Sequence, residues 1–395
     1  MNKTKSAILV ASILMIAGLL LAAAGFFSGA KLNVAMGEHG ITIMGGSSDR
    51  NLKTQNGIKL GNFTSIDCKI LNSNLRFVSS DHFGMDMTYY GDENKPAFSV
   101  NNGTLQITQQ PAGSERTWFQ ISFDSQYNIR QGEITVYYPK GIHLNKLNIE
   151  NDSGNTEASD FEAQSTGIEC QYGNLKLKNA SCGSCSIKLS SGTSTLSSVK
   201  MSVLNLKNSY GDCNFDSVQV SGNEESRIDT SSGKINLTNF SSPALALNDD
   251  DGSVSLSSLK SERLHAQLDS GNLNIADCNI GNAQVKSAYG SVHATSLTIS
   301  GANIDCSSGS ISLGGIFKGK TTLHSDYGNV SIQTSLPQSQ YRCDFSTEYG
   351  SVKVNGKKYG KGVSMPVNAE NSLDITANSG DVSADFQAET TGKTA

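Results

Sequence analysis

Cysteine is the residue type in this chain that most directly offers chemistry, with eight copies and one Cys-x-x-C motif. Cys182-Gly-Ser-Cys185 could be redox-active, hold half of a metal site or close a local disulfide. A redox Cys-x-x-C normally opens a helix in a βαβ unit, and a zinc site needs a second ligand pair; the sequence offers neither. We expect buried free thiols, with a Cys182–Cys185 disulfide as the alternative, and we assign no metal ligand and no cofactor.

A second candidate is a set of tyrosines, each directly before a glycine, together with small polar residues just after such glycines. The tyrosines are Tyr172, Tyr210, Tyr289, Tyr327 and Tyr349, and the polar residues are Asn272, Asn274, Ser310 and Ser312. If each glycine marks one coil of a β-solenoid, rings in alternate coils stand roughly 10 Å apart, which suits stacking on sugars. Because serines occupy this column in the coils between the tyrosines, each ring could instead pack against its small neighbours, and we favour packing. The polar face fits a bound glycan and an ordinary solvated surface equally well.

An acidic run and six histidines complete the candidates. Asn248-Asp249-Asp250-Asp251-Gly252 could bind calcium, but it lacks the spaced ligands and distal Glu of an EF-hand loop. Asp and Asn are common corner residues, so we predict a turn there. The histidines show no metal-site spacing, and no Ser-His-Asp order or phosphate loop stands out. We assign no catalytic residue.

A repeat of about 19 residues positions these groups. Eight of the eleven steps between successive marker glycines are 19 residues, two are 22 and the last is 30. The marker glycines are Gly154, Gly173, Gly192, Gly211, Gly233, Gly252, Gly271, Gly290, Gly309, Gly328, Gly350 and Gly380. Such regularity predicts a solenoid of equivalent coils.

Apolar residues keep fixed places relative to the marker glycine. The residue five positions before it is apolar in every copy: Ile149, Ile168, Ile187, Leu206, Ile228, Leu247, Ala266, Val285, Ile304, Leu323, Phe345 and Ile375. Apolar residues two and four positions after it alternate with polar ones, as in a strand with one buried face. We predict an all-β, right-handed parallel β-helix with three strands per coil. Seven of the eight cysteines fall on inward places of this pattern.

Charge and composition narrow the function classes. The net charge is −5, with no basic block and no interleaving of basic and aromatic residues, so we expect no nucleic-acid partner. Charged residues make up 17% of the chain, and Gly, Ser, Asn and Thr are abundant. This composition is typical of the turns and polar faces of a secreted β protein.

The N-terminus carries a membrane signal. Residues 7–27 contain no charge, and Lys3 and Lys5 precede them. About 20 apolar residues span a bilayer, and positive charge before the span keeps that end in the cytoplasm. We predict an uncleaved transmembrane signal-anchor with the remainder outside the cell. The alternative is a cleaved signal peptide, because Ala22, Ala23 and Ala24 offer small residues to a peptidase.

The pattern divides the chain into five segments. Residues 1–30 are the cytoplasmic tip and transmembrane signal-anchor, and residues 31–143 an irregular β-rich N-terminal cap. Residues 144–354 are the regular β-helix coils, and residues 355–385 the last coil and C-terminal cap. Residues 386–395 are a disordered tail. Within the N-terminal cap, residues 98–107 follow the repeat's register and predict one coil-like unit.

Three stretches resemble the bacterial putative-adhesin family, an uncharacterised β-strand-repeat surface domain common in Gram-positive bacteria. They are FSVNNGTLQIT (98–108), ITVYYPKGIHLNKLNIENDSGNTEAS (134–159) and the following Ser-Gly and Tyr-Gly repeats. The resemblance covers about residues 66–385. It implies a surface-exposed β-helix behind an N-terminal membrane segment, linked to adhesion or envelope stress, and it brings no catalytic residues.

These observations predict a membrane-anchored, extracytoplasmic surface protein that is a non-enzymatic adhesin or envelope-associated binding module. Its expected partners are the membrane, through the N-terminal helix, and a surface glycan or envelope protein. Two alternatives stay open: a β-helix glycan-degrading enzyme, and a structural or envelope-stress regulatory component without a ligand. An enzyme is disfavoured because no convergent polar site is evident.

Overall fold

The computed structural model describes residues 32–37, 40–45, 52–109, 117–122 and 131–388. These residues form β-strands and turns, with two 3₁₀ helices, Asp92–Asn94 and Gln338–Gln340. In chain order the strands are β1 (Leu32–Gly37), β2 (Gly40–Gly45), β3 (Leu52–Lys59), β4 (Ser65–Ile70), β5 (Ser73–Ser80), β6 (Gly84–Tyr90), β7 (Ala97–Asn101), β8 (Thr104–Thr108), β9 (Thr117–Ser122), β10 (Gly132–Pro139), β11 (His143–Ser153), β12 (Thr156–Ser159), β13 (Glu162–Tyr172), β14 (Leu175–Ser191), β15 (Ser194–Tyr210), β16 (Cys213–Val220), β17 (Ser226–Ser232), β18 (Ile235–Thr238), β19 (Ser241–Asp251), β20 (Val254–Ser257), β21 (Lys260–Ser270), β22 (Leu273–Ala276), β23 (Asn279–Tyr289), β24 (Val292–Ser308), β25 (Ile311–Phe317), β26 (Lys320–Tyr327), β27 (Val330–Thr334), β28 (Tyr341–Thr347), β29 (Val352–Val354), β30 (Lys357–Lys358), β31 (Gly362–Met365), β32 (Asn371–Ser379) and β33 (Val382–Phe386).

The predicted membrane segment, residues 7–27, lies outside the described residues. Within the described ranges, no helix has the length and apolar character needed to cross a membrane. The described chain divides into two units. The first contains an antiparallel sheet in the order β2–β1–β9, in which Leu32 pairs with Gly45 and Val34 with Ile121. The second, residues 55–87, 96–109 and 133–388, is a β-solenoid.

Each regular coil of the solenoid has three sides, as residues 154–172 illustrate. Buried and outward residues alternate along each side, and the alternation breaks at three places. One break lies at the marker glycine, one at Asp160 and one between the buried residues Ala163 and Thr166. The predicted repeat and its three strands are therefore present, although the second and third sides run together as one long strand, β13.

Equivalent residues stack on one another in parallel register. Ile149 pairs with Ile168, Ile168 with Ile187, and Ile187 with Leu206. All members of the column five places before the marker glycine are buried, with at most 3% exposure. Each fully buried aliphatic side chain contributes roughly 1.5–3 kcal/mol, so these columns are the main stabilising element of the core.

The marker glycines form an unbroken column at the first corner. Gly173 has φ +147°, and a Cβ placed on it would overlap the carbonyl oxygen of Gly154 in the neighbouring coil. Its N–H donates to the carbonyl oxygen of Ser191 at 3.2 Å. The corner therefore requires glycine because the backbones of adjacent coils approach closely as well as because of the positive φ.

The second corner, six residues after the marker glycine, was not evident in the sequence. In eight coils its residue is left-handed, with φ between 51° and 58°. These residues are Asp160, Asn179, Ser198, Ser217, Asn239, Ser258, Asp277 and Ser296. Asp and Asn are the usual non-glycine residues in this conformation, but Ser is not, and four of the eight are Ser.

The solenoid begins earlier than residue 144. β4 stacks on β11 and β5 on β12, so residues 65–77 form a coil within the region that we predicted to be an irregular cap. β8 then pairs in parallel with the other edge of β4. β7 and β8 form an antiparallel hairpin around Asn102 and Gly103, both with positive φ. Residues 98–107 are therefore a hairpin, and not the coil-like unit that their register predicted.

At the C-terminal end the coils do not stack in chain order. β32 lies between β26 and β28, and β33 between β27 and β29. Residues 371–386 therefore stack inside residues 341–354, whereas we predicted residues 355–385 to be the last coil. The reason is local. β31 pairs antiparallel with the outer edge of β28, and β30 pairs antiparallel with the outer edge of β29. Only the inner edges of β28 and β29 are therefore open to residues 371–386. Phe386, which we assigned to the tail, ends β33 and is buried.

Candidate functional site

The five tyrosines before the marker glycines project from one corner of the solenoid, and we call them the tyrosine row. Tyr172, Tyr210, Tyr289, Tyr327 and Tyr349 are between 65% and 77% exposed. We favoured packing of these rings against their neighbours, and this degree of exposure does not fit that prediction. The cause is the corner itself: the two residues before the glycine, such as Gln171 and Tyr172, both face outward.

The row has a regular spacing along the solenoid. Tyr289 pairs with Ser308, Ser308 with Tyr327, and Tyr327 with Ser379. The N–H of Tyr349 donates to the carbonyl oxygen of Asn378 at 2.9 Å, which places Tyr349 beside Ser379. Tyrosine and serine therefore alternate through five successive coils. Chain order alone hides this alternation, because the coil that carries Ser379 is inserted between those of Tyr327 and Tyr349.

The same alternation occurs nearer the N-terminal end. Tyr172 pairs with Ser191, and Ser191 with Tyr210. The three following coils carry Ser232, Asp251 and Ser270, after which Tyr289 resumes the pattern. Asp251 thus occupies the one place where continuous alternation would require a tyrosine, and it divides the row in two.

The predicted polar residues lie beside the row and already form hydrogen bonds between coils. Asn272 Oδ1 accepts from the Ser291 N–H at 2.9 Å, and Ser291 Oγ accepts from the Ser310 N–H at 3.1 Å. These bonds leave the Asn272 amide nitrogen and the serine hydroxyl hydrogens as potential donors. Asn274 is exposed and Ser312 half-buried, two positions further along the same side.

Acidic residues flank the C-terminal half of the row on both sides. Asp326 lies two places before a marker glycine, and Asp381 lies one place after, in the same column as Asn272 and Ser310. Asp326 Oδ1 accepts from Asn378 Nδ2 at 2.6 Å and lies 3.2 Å from His324 Nε2. Asp381 accepts from both the N–H and the hydroxyl of Ser351, at 2.8 and 3.0 Å. The backbone N–H of Ser351 is the main cause that lowers the pKa of Asp381. The Asp381 carboxylate is therefore an ionised acceptor at neutral pH.

All eight cysteines are buried free thiols: Cys68, Cys170, Cys182, Cys185, Cys213, Cys278, Cys306 and Cys343. A hydrogen bond that the Cys185 thiol donates to Cys182, together with burial, raises the pKa of Cys185. Thr166 Oγ1 lies 3.4 Å from Cys182 Sγ. The predicted inward placement of the cysteines is confirmed, and the Cys182–Cys185 disulfide stays an alternative for experiment.

The acidic run is a corner, as predicted. Asp249 is buried, and its neighbours Asp250 and Asp251 are exposed. Burial is the main cause that raises the pKa of Asp249, opposed by a 2.6 Å hydrogen bond from Thr230. Within the described part of the chain, no three His, Cys, Asp or Glu side chains are placed to hold a metal ion.

A shallow depression lies on the third side of the solenoid, away from the marker glycines. It is lined by Asn282, Ala283, Gly301, Ala302, Asn303, Lys320 and Thr322. Lys320 is the ionisable group in this lining, so the depression offers no acid–base pair. The tyrosine row is the surface with the stronger claim to a binding function.

Comparison with known proteins adds a family match. The family model described as Toastrack DUF4097 matches residues 63–239 and 223–385. Similar solved structures include a "putative adhesin" from Bacteroides fragilis (12% identity, covering 85% of this chain and 97% of that chain, TM-score 0.28). Others are a "putative cell adhesion protein" from Clostridium sporogenes (11% identity, 85% and 99%, TM-score 0.17) and a "putative lipid binding protein" from Parabacteroides distasonis (14% identity, 84% and 96%, TM-score 0.24). These TM-scores are too low for the solved structures to bear on function, and no curated protein matches the chain in sequence.

Proposed function

The chain belongs to the Toastrack DUF4097 family, and from this premise we propose that it is a non-enzymatic surface-binding protein of the adhesin type. The family match spans residues 63–385 and confirms the resemblance to a bacterial putative-adhesin family with β-strand repeats. In this proposal, residues 7–27 anchor the chain in the cell membrane. A right-handed β-helix then projects outside the cell and presents the tyrosine row.

The tyrosine row is the observation that carries the proposal. Five aromatic side chains, each at least 65% exposed, stand in one column along a polar surface. Exposed aromatic rings lose the benefit of burial, so a repeated set on one surface marks an interaction site. Tyrosine combines a flat apolar ring with a polar hydroxyl, which makes it effective in recognition. Sugar rings, with an apolar face and hydroxyl edges, match both properties.

Binding is better supported than cleavage. A glycosidase typically needs one carboxyl group with a raised pKa as its general acid. Near the row, Ser351 lowers the pKa of Asp381, and Asp326 is engaged by Asn378 and His324. Asp381 is therefore suited to accept hydrogen bonds rather than to donate a proton, and Asp326 Oδ1 already accepts a hydrogen bond from Asn378.

Adhesion of cells that express the full chain tests the proposal. We expect such cells to adhere to immobilised bacterial envelope polysaccharide, and adhesion to fall strongly when all five tyrosines of the row are replaced with serine. Serine already occupies this column in other coils, so the fold should tolerate the changes. The matched control is Tyr359→Ser, whose ring lies outside the row, 5.0 Å from Lys357 Nζ.

Surface display is tested on the same cells. Protease added to intact cells should digest the solenoid, and the chain should fractionate with membranes. Equal adhesion of the five-tyrosine variant and the unchanged chain would refute the binding role. Protection of the solenoid from protease in intact cells would refute the extracellular location.

A further inference from the structure

We propose that Tyr289, Tyr327 and Tyr349 bind an uncharged β-1,4-linked polysaccharide that lies along the stacking direction of the coils, with one disaccharide for every two coils. This inference rests on the proposed function, because it specifies the ligand class for the same tyrosine row. It depends on the spacing of the three tyrosine rings, on the polar residues at either side of them and on the charge of the surrounding surface.

The spacing of the rings follows from the strand register. Tyr289, Tyr327 and Tyr349 occupy alternate coils, separated by those of Ser308 and Ser379. Neighbouring strands lie roughly 4.8 Å apart, so successive rings are about 10 Å apart and the three span about 19 Å. The backbone ladder fixes this spacing more rigidly than a set of loops would.

A β-1,4-linked chain of hexopyranoses has a matching period. Successive sugar rings are turned by about half a turn, so every second ring presents the same face in the same direction. The length of that disaccharide repeat is close to the distance between alternate coils. An α-1,4-linked chain curls and a β-1,3-linked chain winds into a wide helix, so neither keeps three rings in register with a straight row.

Hydrogen-bonding groups lie on both flanks of the three tyrosines. Asn272 and Ser310 stand on one flank, and Asp326 and Asn378 on the other. Hydroxyl groups at the edges of a sugar ring can both donate and accept, as these side chains require. The arrangement therefore suits an aromatic contact beneath the sugar and polar contacts at its edges.

Charge favours an uncharged ligand. The coil of Ser270 and the five coils from Tyr289 to Tyr349 make up the part of the solenoid around the three tyrosines. In the two columns before the marker glycine and the one after it, the charged residues of these six coils are Asp269, Asp326, Glu348 and Asp381. The same columns contain no Lys or Arg in those coils. Like charges repel, so a uronic acid, sulfated or phosphate-containing polymer is disfavoured along this surface.

Isothermal titration calorimetry tests the ligand class with defined oligosaccharides. The full chain is held in a detergent without a sugar head group, and cellohexaose and chitohexaose are the probes. We expect at least one of them to bind tenfold or more tightly than maltohexaose and laminarihexaose. Affinity should rise from the trisaccharide to the hexasaccharide, because five sugar rings are needed to reach all three tyrosines.

Variants test the role of the rings. Tyr327→Ala should weaken hexasaccharide binding by about three- to tenfold, as expected for loss of one aromatic contact. Tyr327→Phe should keep the affinity, because the ring remains. Ser308→Ala, in the same column between two tyrosines, is the control and should leave binding unchanged.

Each result decides between distinct conclusions. Equal or tighter binding of maltohexaose, or an affinity that Tyr327→Ala leaves unchanged, overturns the inference about ligand class. If the hexasaccharides fail to bind while cells still adhere through the tyrosine row, the inference fails and the proposed function stands. If adhesion is also lost, both fail.

Discussion

Thr230 donates a 2.6 Å hydrogen bond to Oδ1 of Asp249 in the neighbouring coil, while Oδ2 of the same carboxyl group is buried without a hydrogen-bond partner. Asn208 stands two coils away in the same column, three residues before the marker glycine. Its amide nitrogen donates to the carbonyl oxygens of Gly192 and Gly211. A carboxylate cannot donate in this way, but a protonated carboxyl group can. The raised pKa of Asp249, caused mainly by burial, fits this position.

Asp249→Asn should stabilise the solenoid at neutral pH. In the unfolded chain the carboxyl group titrates near 3.8, and in the folded chain its pKa is higher. The stability contributed by the protonated form is therefore complete below pH 3.8 and is lost as pH rises through the folded-state pKa. Urea unfolding should show a gain of about 1–3 kcal/mol for the variant at pH 7, the usual cost of an unsatisfied buried polar group, and little difference at pH 3.

Asp250→Asn is the control for this experiment, because Asp250 is exposed. Its charge is a lesser cause of the raised pKa of Asp249, so this variant should change the pH dependence of unfolding much less than Asp249→Asn does. If Asp249→Asn and the unchanged chain had the same unfolding midpoint at every pH, burial of the Asp249 carboxylate would cost no measurable stability, and the prediction would be wrong.

Gly290→Ala should destabilise the solenoid through steric overlap. Gly290 does not have a left-handed φ, yet a Cβ there would overlap the carbonyl oxygen of Gly271. The neighbouring coil would have to move, and overpacking of this kind costs about 1–3 kcal/mol. Thermal unfolding followed by circular dichroism should show the loss. Gly61→Ala is the matched control: its nearest neighbour would be Val100 Cγ1 at 3.8 Å, and a comparable loss there would refute the steric explanation.

The cysteine thiols should be unreactive in the folded protein. Burial is the main cause that raises the pKa of Cys306 and Cys343 to about 12. The thiolate is the reactive form, and burial also shields Cys182, whose pKa is lowered by its hydrogen bond with Cys185. Iodoacetamide at pH 8 should therefore modify none of the eight cysteines until the protein is unfolded. Mass spectrometry without reductant provides the measurement. A peptide containing residues 182–185 that is lighter by two hydrogen atoms would instead support the Cys182–Cys185 disulfide.

Asp251→Tyr should join the two parts of the tyrosine row. Asp251 lies two coils from Tyr210 and two coils from Tyr289. A tyrosine there would extend the alternation from Tyr172 to Tyr349. Affinity for a long β-1,4-linked chain should rise by about tenfold, because a longer ligand would contact more rings at once. Affinity for a hexasaccharide should change little, and the same gain with Asp250→Tyr would show that position in the column is unimportant.

Much of the solenoid could be predicted because its core is periodic. The marker glycines and the apolar column that includes Ile187 recur at fixed intervals, and a stacked β-solenoid needs such columns. The placement of the cysteines followed from the same register. Burial alternation and repeat length are properties of local sequence, so they can be recognised without tertiary information.

Other features depend on contacts that the repeat does not encode. Ser198 adopts the same left-handed conformation as the equivalent residues of the neighbouring coils, Asn179 and Ser217, and its residue type gives little indication of this. Residues 98–107 fit the register yet form a hairpin, because Asn102 and Gly103 favour a tight turn. The exposure of Tyr289 could not be inferred either, because spacing alone does not show how the corner directs the ring.

The inserted coil changes how the solenoid responds to force and to digestion from that end. An outermost coil ordinarily frays first, because it is held by one neighbour. Residues 371–386 are paired along both edges, to residues 320–334 and to residues 341–354. A load applied beyond residue 388 therefore has to separate two ladders at once before any coil is released. In the adhesive role proposed above, this closure would make the C-terminal end of the solenoid resist unfolding under a pulling force.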